Sequence, residues 1–334
     1  MDNSNTGLEA IANSIETAIT GIPAPLRKNF FKAFAQLCTA AVDIPVSWLE
    51  SHSAEIRAIS EARVKLIQKE GQDFYNKTEV PAEYLAKASA KYASKIIKEQ
   101  INLDEITLIA AKNLANDKVD DNPAADNNAQ NDINEDWLNE FENQARLKSS
   151  EDMKIVFGKI LSGEISRPGS FSIRTVKLIS QLDNQAAKLF QTLCSVSVSL
   201  NFGPLQDARV VSFSGTPASN SLSLYGLSFG SLNVLQEYGL IISDYNSWMH
   251  YSVCVAHKGN SVAASFTYAG KQFGLIPTDK EKYDKRLQLH GVTLTKAGKE
   301  LLSIIPIEEQ KEYTLALIEF FKGKHLQLTQ IQDS

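Results

Sequence analysis

Through its first two thirds the chain repeats apolar positions with the period of an α-helix. Ile56, Ile59, Ala62 and Leu66 form one stripe, and Leu85, Ala88, Tyr92 and Ile96 form a second. Spacings of three and four place each set on one side of a helix, so both segments are predicted to be amphipathic helices. Asn102 followed by Glu105 resembles a capping arrangement, which predicts a further helix start ahead of Ile106, Ile109 and Ala110. The pattern returns at Trp137, Phe141 and Ala145, then at Met153, Val156, Phe157, Ile160 and Leu161, with Gly163 placed to end that helix. Pro168 and Gly169 form a turn, Ser170 or Ser172 caps the helix after it, and Asp183 caps another carrying Ala186, Phe190 and Leu193.

Beyond Leu200 the periodicity changes. Runs of β character are predicted at 208–213, 251–256, 264–268 and 291–294. A helix over 227–238 stops at Gly239, Thr295 caps the helix in LTKAGKELL, and a last helix with Leu317, Ile318 and Phe321 precedes a polar tail. This order of helix, helix with trailing GLI, hairpin and LTKAGKELL resembles a winged helix. The expected fold class is mainly α with a smaller α+β part. It comprises an N-terminal helical module (1–115), a central three-helix unit with a PGSFS turn (137–182), a C-terminal winged-helix-like domain (183–305), and a C-terminal helix with polar tail (306–334). The stretch 116–136 is rich in Asn and Asp and poor in large apolar groups, so it cannot repay the entropy of ordering and reads as an acidic linker.

Charge narrows the function. The 334 residues carry a net charge of -5, whereas a protein that neutralises phosphates presents an excess of Lys and Arg. The helix placed like a recognition helix, 227–238, has no Lys or Arg, so a winged helix used for protein contact is favoured and DNA is a disfavoured partner. The best cationic contact surface is Lys271, Lys282, Lys285 and Arg286, partly offset by Asp279, Glu281 and Asp284.

Cys38, Cys194 and Cys254 are odd in number and far apart, which reads as reduced thiols, and the N-terminus lacks the pattern of a signal peptide; a cytoplasmic protein is expected. Residues 22–49 are fairly apolar but too interrupted to span a bilayer. A surface-lying helix showing Phe30, Phe31 and Phe34 to a membrane is the less favoured reading. His250, Cys254 and His257 are close in sequence, but strand alternation sends them to opposite faces, so no metal site is expected. No phosphate-binding, nucleophile-elbow or metalloprotease motif is present, and no cofactor is expected. Arg286 and His290 stand too close together for the Arg/His spacing of helical toxin ribonucleases. The sequence therefore leans against catalysis, with an enzymatic effector such as a nuclease kept as a further alternative.

Glu164, Arg167 and Arg174 surround the turn formed by Ser170, Phe171 and Ser172. An arginine beside a carboxylate there is expected to make a partly buried ion pair that locks the corner or, in the functional reading, to form a docking surface. The same run, ILSGEISRPGSFSIRTVKLISQLDNQAAKLFQTL, resembles the uncharacterised bacterial family DUF2806, and is similar to the Abi-alpha proteins of abortive infection. That resemblance implies a bacterial protein in phage defence and brings no catalytic residues with it. The function expected is thus a non-enzymatic interaction or sensing component that binds a protein partner or itself. A winged-helix DNA-binding regulator is the alternative.

Overall fold

The computed structural model describes residues 18–38, 82–116, 132–213, 221–256 and 261–331. The chain forms two compact units, Met1–Ser180 and Gln181–Ser334.

The first unit is helical. It contains α1 (Arg27–Leu37), α2 (Ala82–Asn116), α3 (Glu135–Ala145), α4 (Glu151–Ser166) and α5 (Ile173–Gln181). Leu103, Ile106, Ala110 and Leu114 recur at helical spacing along α2 and are buried, and α2 packs on α4, whose Phe157, Ile160, Leu161 and Ile165 are also buried. The two helices approach closely because Gly158 has no side chain: a Cβ there would lie 2.4 Å from Ile109 Cγ2. On α1 the residues Phe30, Ala33, Phe34 and Leu37 turn into the protein core and not toward a membrane surface. Residues 39–49 of that stretch, the Ile56–Leu66 stripe and most of the acidic linker lie outside the described residues. The end of the expected linker is helical: Asn134 caps α3, accepting from Trp137 N, and Glu135 and Asp136 occupy its first turn, where carboxylates favour the helix dipole.

Two expected boundaries in this unit are corrected. Asn102 and Glu105 do not start a helix; α2 runs through them for 35 residues. The apolar stripe continues past them, and their side chains serve tertiary contacts, Asn102 Nδ2 donating to Arg146 O at 2.9 Å and Glu105 pairing with Lys154. Nor does Gly163 end α4, which continues to Ser166. Its bare Cα instead admits the Phe171 ring, which a Cβ would meet at 2.6 Å. The second predicted stripe is helical as expected, yet Tyr92 and Ile96 are 68% and 55% exposed.

Among its described residues the second unit joins four α-helices to a sheet. The helices are α6 (Asn184–Ser195), α7 (Phe229–Glu237), α8 (Lys296–Leu302) and α9 (Lys311–Gly323). The strands are β1 (Ser197–Phe202), β2 (Leu205–Val211), β3 (Ile241–Ile242), β4 (Trp248–His250), β5 (Phe266–Tyr268), β6 (Lys271–Pro277), β7 (Gln288–Leu294) and β8 (Leu326–Gln330). Asp183 caps α6 by accepting from Ala186 N at 2.7 Å, and Thr295 caps α8 through Gly298 N, both as expected.

The expected fold class is overturned here. The eight strands form one antiparallel sheet in the order β3-β7-β2-β1-β5-β6-β8, with β4 pairing β7, which is neither a small α+β part nor a winged helix. Four strands carry the difference: β1, which follows α6 directly; β4, just ahead of the run expected at 251–256; β6, which begins at Lys271; and β8, within the expected polar tail. Each is short and partly polar, and its pairing partner is supplied by the tertiary fold. The strand expected over 251–256 is instead a 3-10 turn, Ser252–Cys254, with Val255 alone bridging to Leu275. One sheet face packs under α9: Phe266 and Phe321 ring centroids are 6.1 Å apart, Tyr268 and Tyr313 centroids 6.0 Å. No described helix is long and apolar enough to cross a membrane.

Candidate functional site

The opposite face of the sheet carries a cleft. Strand alternation sends Ser197, Ser199 and Asn201 of β1 to one side and Val198 and Leu200 to the other. Register extends that polar side across its neighbours: Ser199 stands opposite Ala208 of β2 and Thr267 of β5, and Asn201 opposite Gln206. These residues line a cavity of about 470 Å³ whose wall is the end of α8 and the chain after it, including Lys299, Leu302, Ser303, Ile305 and Ile307.

Some lining groups are committed to the protein. Ser197 Oγ donates to Leu193 O at 2.7 Å, Thr267 Oγ1 accepts from Gln272 Nε2 at 2.9 Å, and Ser303 Oγ donates to Glu300 O at 2.7 Å. Lys299 Nζ donates to Gln206 O at 3.0 Å, which brings a cation to the rim. The side chains of Ser199, Asn201 and Gln206 have no partner among the described residues and are left to a visitor. The cleft thus offers two amides, a hydroxyl and one ammonium beside aliphatic side chains. That set suits recognition of a polar group with an apolar portion.

A buried ionic lock lies under the floor. Asp207 and Arg209, on the other side of β2, are 5% and 2% exposed. Arg209 donates Nε and Nη2 to the two Asp207 oxygens at 2.5 and 2.9 Å, and its Nη1 to Ser247 O and Leu289 O at 3.0 and 2.8 Å. Tyr251 Oη donates to Asp207 Oδ2 at 3.0 Å, and burial followed by the Asp207 charge pushes the Tyr251 phenol well above its ordinary range. Four of the five guanidinium N–H groups and both carboxylate oxygens have partners, as a buried charge requires. The lock ties β2 to β7 and to the 247–251 segment, fixing the strand that floors the cleft. Sequence reading missed it because the strand was begun at Ala208; charged residues two apart inside an otherwise apolar run were the available signal.

The residues singled out from sequence fall in two separate places. Glu164, Arg167, Ser170, Phe171, Ser172 and Arg174 come together at the α4–α5 corner of the first unit. The expected Glu164–arginine pair is not what holds it. Buried Glu164 accepts from Gly169 N at 2.6 Å and Phe171 N at 2.9 Å, while Arg167 and Arg174 are exposed with no side-chain partner among the described residues. Backbone amides in a tight turn converge on a carboxylate more readily than flexible guanidinium groups that water solvates well. Ser170 Oγ donates to Arg167 O at 2.6 Å, and Ser172 starts α5 by accepting from Thr175 N at 3.4 Å.

In the second unit, Lys271 opens β6 and pairs with Glu309 at 3.2 Å. Lys282 pairs with Asp279 at 3.2 Å, Lys285 Nζ lies 6.0 Å from the Tyr283 ring centroid, and Arg286 N donates to Asp284 Oδ1 at 3.1 Å. Carboxylates thus answer Lys271 and Lys282, whereas Lys285 and Arg286 have no ion pair among the described residues. His250 is exposed beside Trp248, whereas Cys254 is buried, its thiol pushed up to about 12 by that burial; His257 lies outside the described residues. Among the described residues no three His, Cys, Asp or Glu side chains gather in a way that could hold a metal.

Comparison with curated proteins and with solved structures gave no significant match. The sequence profile described as "Protein of unknown function (DUF2806)" matches residues 86–318, which include the Glu164 corner, the ionic lock and the polar cleft. The chain therefore belongs to that family.

Proposed function

We propose that this protein is an interaction or sensing component whose C-terminal unit holds a polar partner group in the cleft on β1, β2 and β5. The observation that carries this reading is the trio Ser199, Asn201 and Gln206, side chains with no partner among the described residues on a floor that the Asp207–Arg209 pair braces. Binding groups held in place before a ligand arrives lose less entropy on binding, so a braced polar floor is suited to recognition. Lys299 at the rim favours a partner group with negative charge.

The biological setting proposed is bacterial phage defence, on the resemblance of the 160–193 run to the Abi-alpha proteins. The test is phage plating on cells carrying the wild-type gene, an Asn201→Ala/Gln206→Ala double variant, or no gene. Protection by the wild type and its loss in the double variant, at equal protein abundance, is the expected result. Equal plaque counts with and without the gene across a broad phage panel remove the defence setting; full protection by the double variant removes the cleft.

A further inference from the structure

The sheet ends in two edges of different character. At one edge β3 is only two residues long, and the next amide, Ser243 N, is taken by the Gln236 side chain at 2.8 Å. At the other edge β8 runs for five residues, LQLTQ, and contains no charge, proline or bulge. Edge strands that stay unpaired usually carry such protection. Inside the sheet, Ile331 N donates to Gln272 O at 2.8 Å and Thr278 N donates to His325 O at 3.0 Å. Residues 325 and 331 therefore direct their backbone groups at β6, and the two-residue period assigns 327 and 329 to the same side. Leu326, Leu328 and Gln330 then point their N–H and C=O groups outward, with no partner among the described residues.

We infer that β8 is a self-association edge that pairs antiparallel with β8 of a second copy of this chain, about a two-fold axis through Leu328. This register places each outward residue against another outward residue: Leu328 faces its own copy, and Leu326 faces Gln330 of the partner. All the outward backbone groups are satisfied together. Gln327 meets Thr329 of the partner in the closely spaced, non-hydrogen-bonded position, where side chains approach most nearly. The strand is thus its own complement, and it brings no like charges face to face. A ladder this short lies at the small end of interface sizes, so association is expected in the micromolar range.

Sedimentation of the full-length chain over a series from micromolar to hundreds of micromolar tests the inference. The mass doubles with concentration in the wild type and stays monomeric in Leu328→Pro, which removes an outward N–H, with unchanged circular dichroism. Gln330→Pro, an exposed outward position, decides the matter should Leu328→Pro fail to fold. Leu328→Cys forms a covalent dimer on mild oxidation, because the axis sets residue 328 within disulfide reach of itself and the three native cysteines are buried. A wild type that stays monomeric throughout, a dimer that survives both prolines, or a Leu328→Cys variant that forms no cross-link overturns the proposal.

Discussion

Asp207 and Arg209 stand two residues apart on β2, and that spacing alone sends both side chains to the same buried face, where they close a bidentate ion pair at 2.5 and 2.9 Å. Arg209→Met strands a buried carboxylate, and a loss of about 3–5 kcal/mol is expected. Asp207→Leu/Arg209→Met replaces both charges by apolar groups of similar bulk and should recover part of that loss, since Ser247 O, Leu289 O and Tyr251 Oη still lose their partners. Urea unfolding of the three proteins checks this; a double variant as unstable as Arg209→Met would show that the charges contribute more than mutual neutralisation.

A second prediction concerns pH. Burial raises the Asp104 carboxyl from 3.8 to about 6, with Glu105 adding to the rise and hydrogen bonds from Gln100 and Cys38 opposing it. The folded state then holds its proton at a pH where the unfolded chain has lost it. The stabilisation is complete below pH 4 and is lost as pH rises toward about 6, by about 3 kcal/mol for a shift of this size. Asp104→Asn removes that slope: the variant matches the wild type near pH 4 and exceeds it above pH 7. Thermal melts of both proteins from pH 4 to pH 8 decide the matter, and parallel stability curves would refute it.

The α4–α5 corner hangs on one carboxylate. Glu164→Gln puts an amide N–H against a backbone donor, and the expected cost is about 1–3 kcal/mol. Hydrogen exchange provides a local readout, with the Gly169 and Phe171 amides exchanging faster in the variant. Arg167→Ala and Arg174→Ala, at exposed positions, should leave both amides unchanged, whereas an equal effect of the arginines would restore the ion-pair reading of the corner.

Gly291 on β7 has a φ of 146°, and a Cβ there would sit 2.0 Å from Val210 O, a backbone atom of the paired strand. Gly291→Ala should therefore break the β2–β7 register and unfold the second unit. Gly323, at the end of α9, has open space around its Cβ position, so Gly323→Ala should change stability by less than about 1 kcal/mol. Expression level and melting temperature of the two variants provide the comparison, with equal behaviour counting against the observed register.

The helical half was largely legible because its information is local. The stripe in α2, the Trp137-to-α4 region and the Asp183 and Thr295 caps each depend on residues three or four apart, and such neighbours meet whatever the rest of the chain does. The Glu164 corner was found for the same reason, its residues lying within eleven positions of one another. Even there, a backbone amide and an arginine could not be told apart as the partner of a carboxylate without coordinates.

The sheet, the cleft and the edge were decided by the tertiary structure. Whether SVSLNF, KQFGLIP and LQLTQ are strands depends on partners far along the chain: β6 pairs with β8 some fifty residues on, and β2 with β7 about eighty residues on. Only that pairing brings Ser199, Gln206 and Lys299 to one cavity and leaves β8 with a free side. The sequence by itself determined which stretches form helices and, at Asp183 and Thr295, how they are capped, through contacts within a single turn. Long-range strand pairing, whose register no local pattern specifies, decided which polar side chains share a face and which backbone groups remain open to a partner.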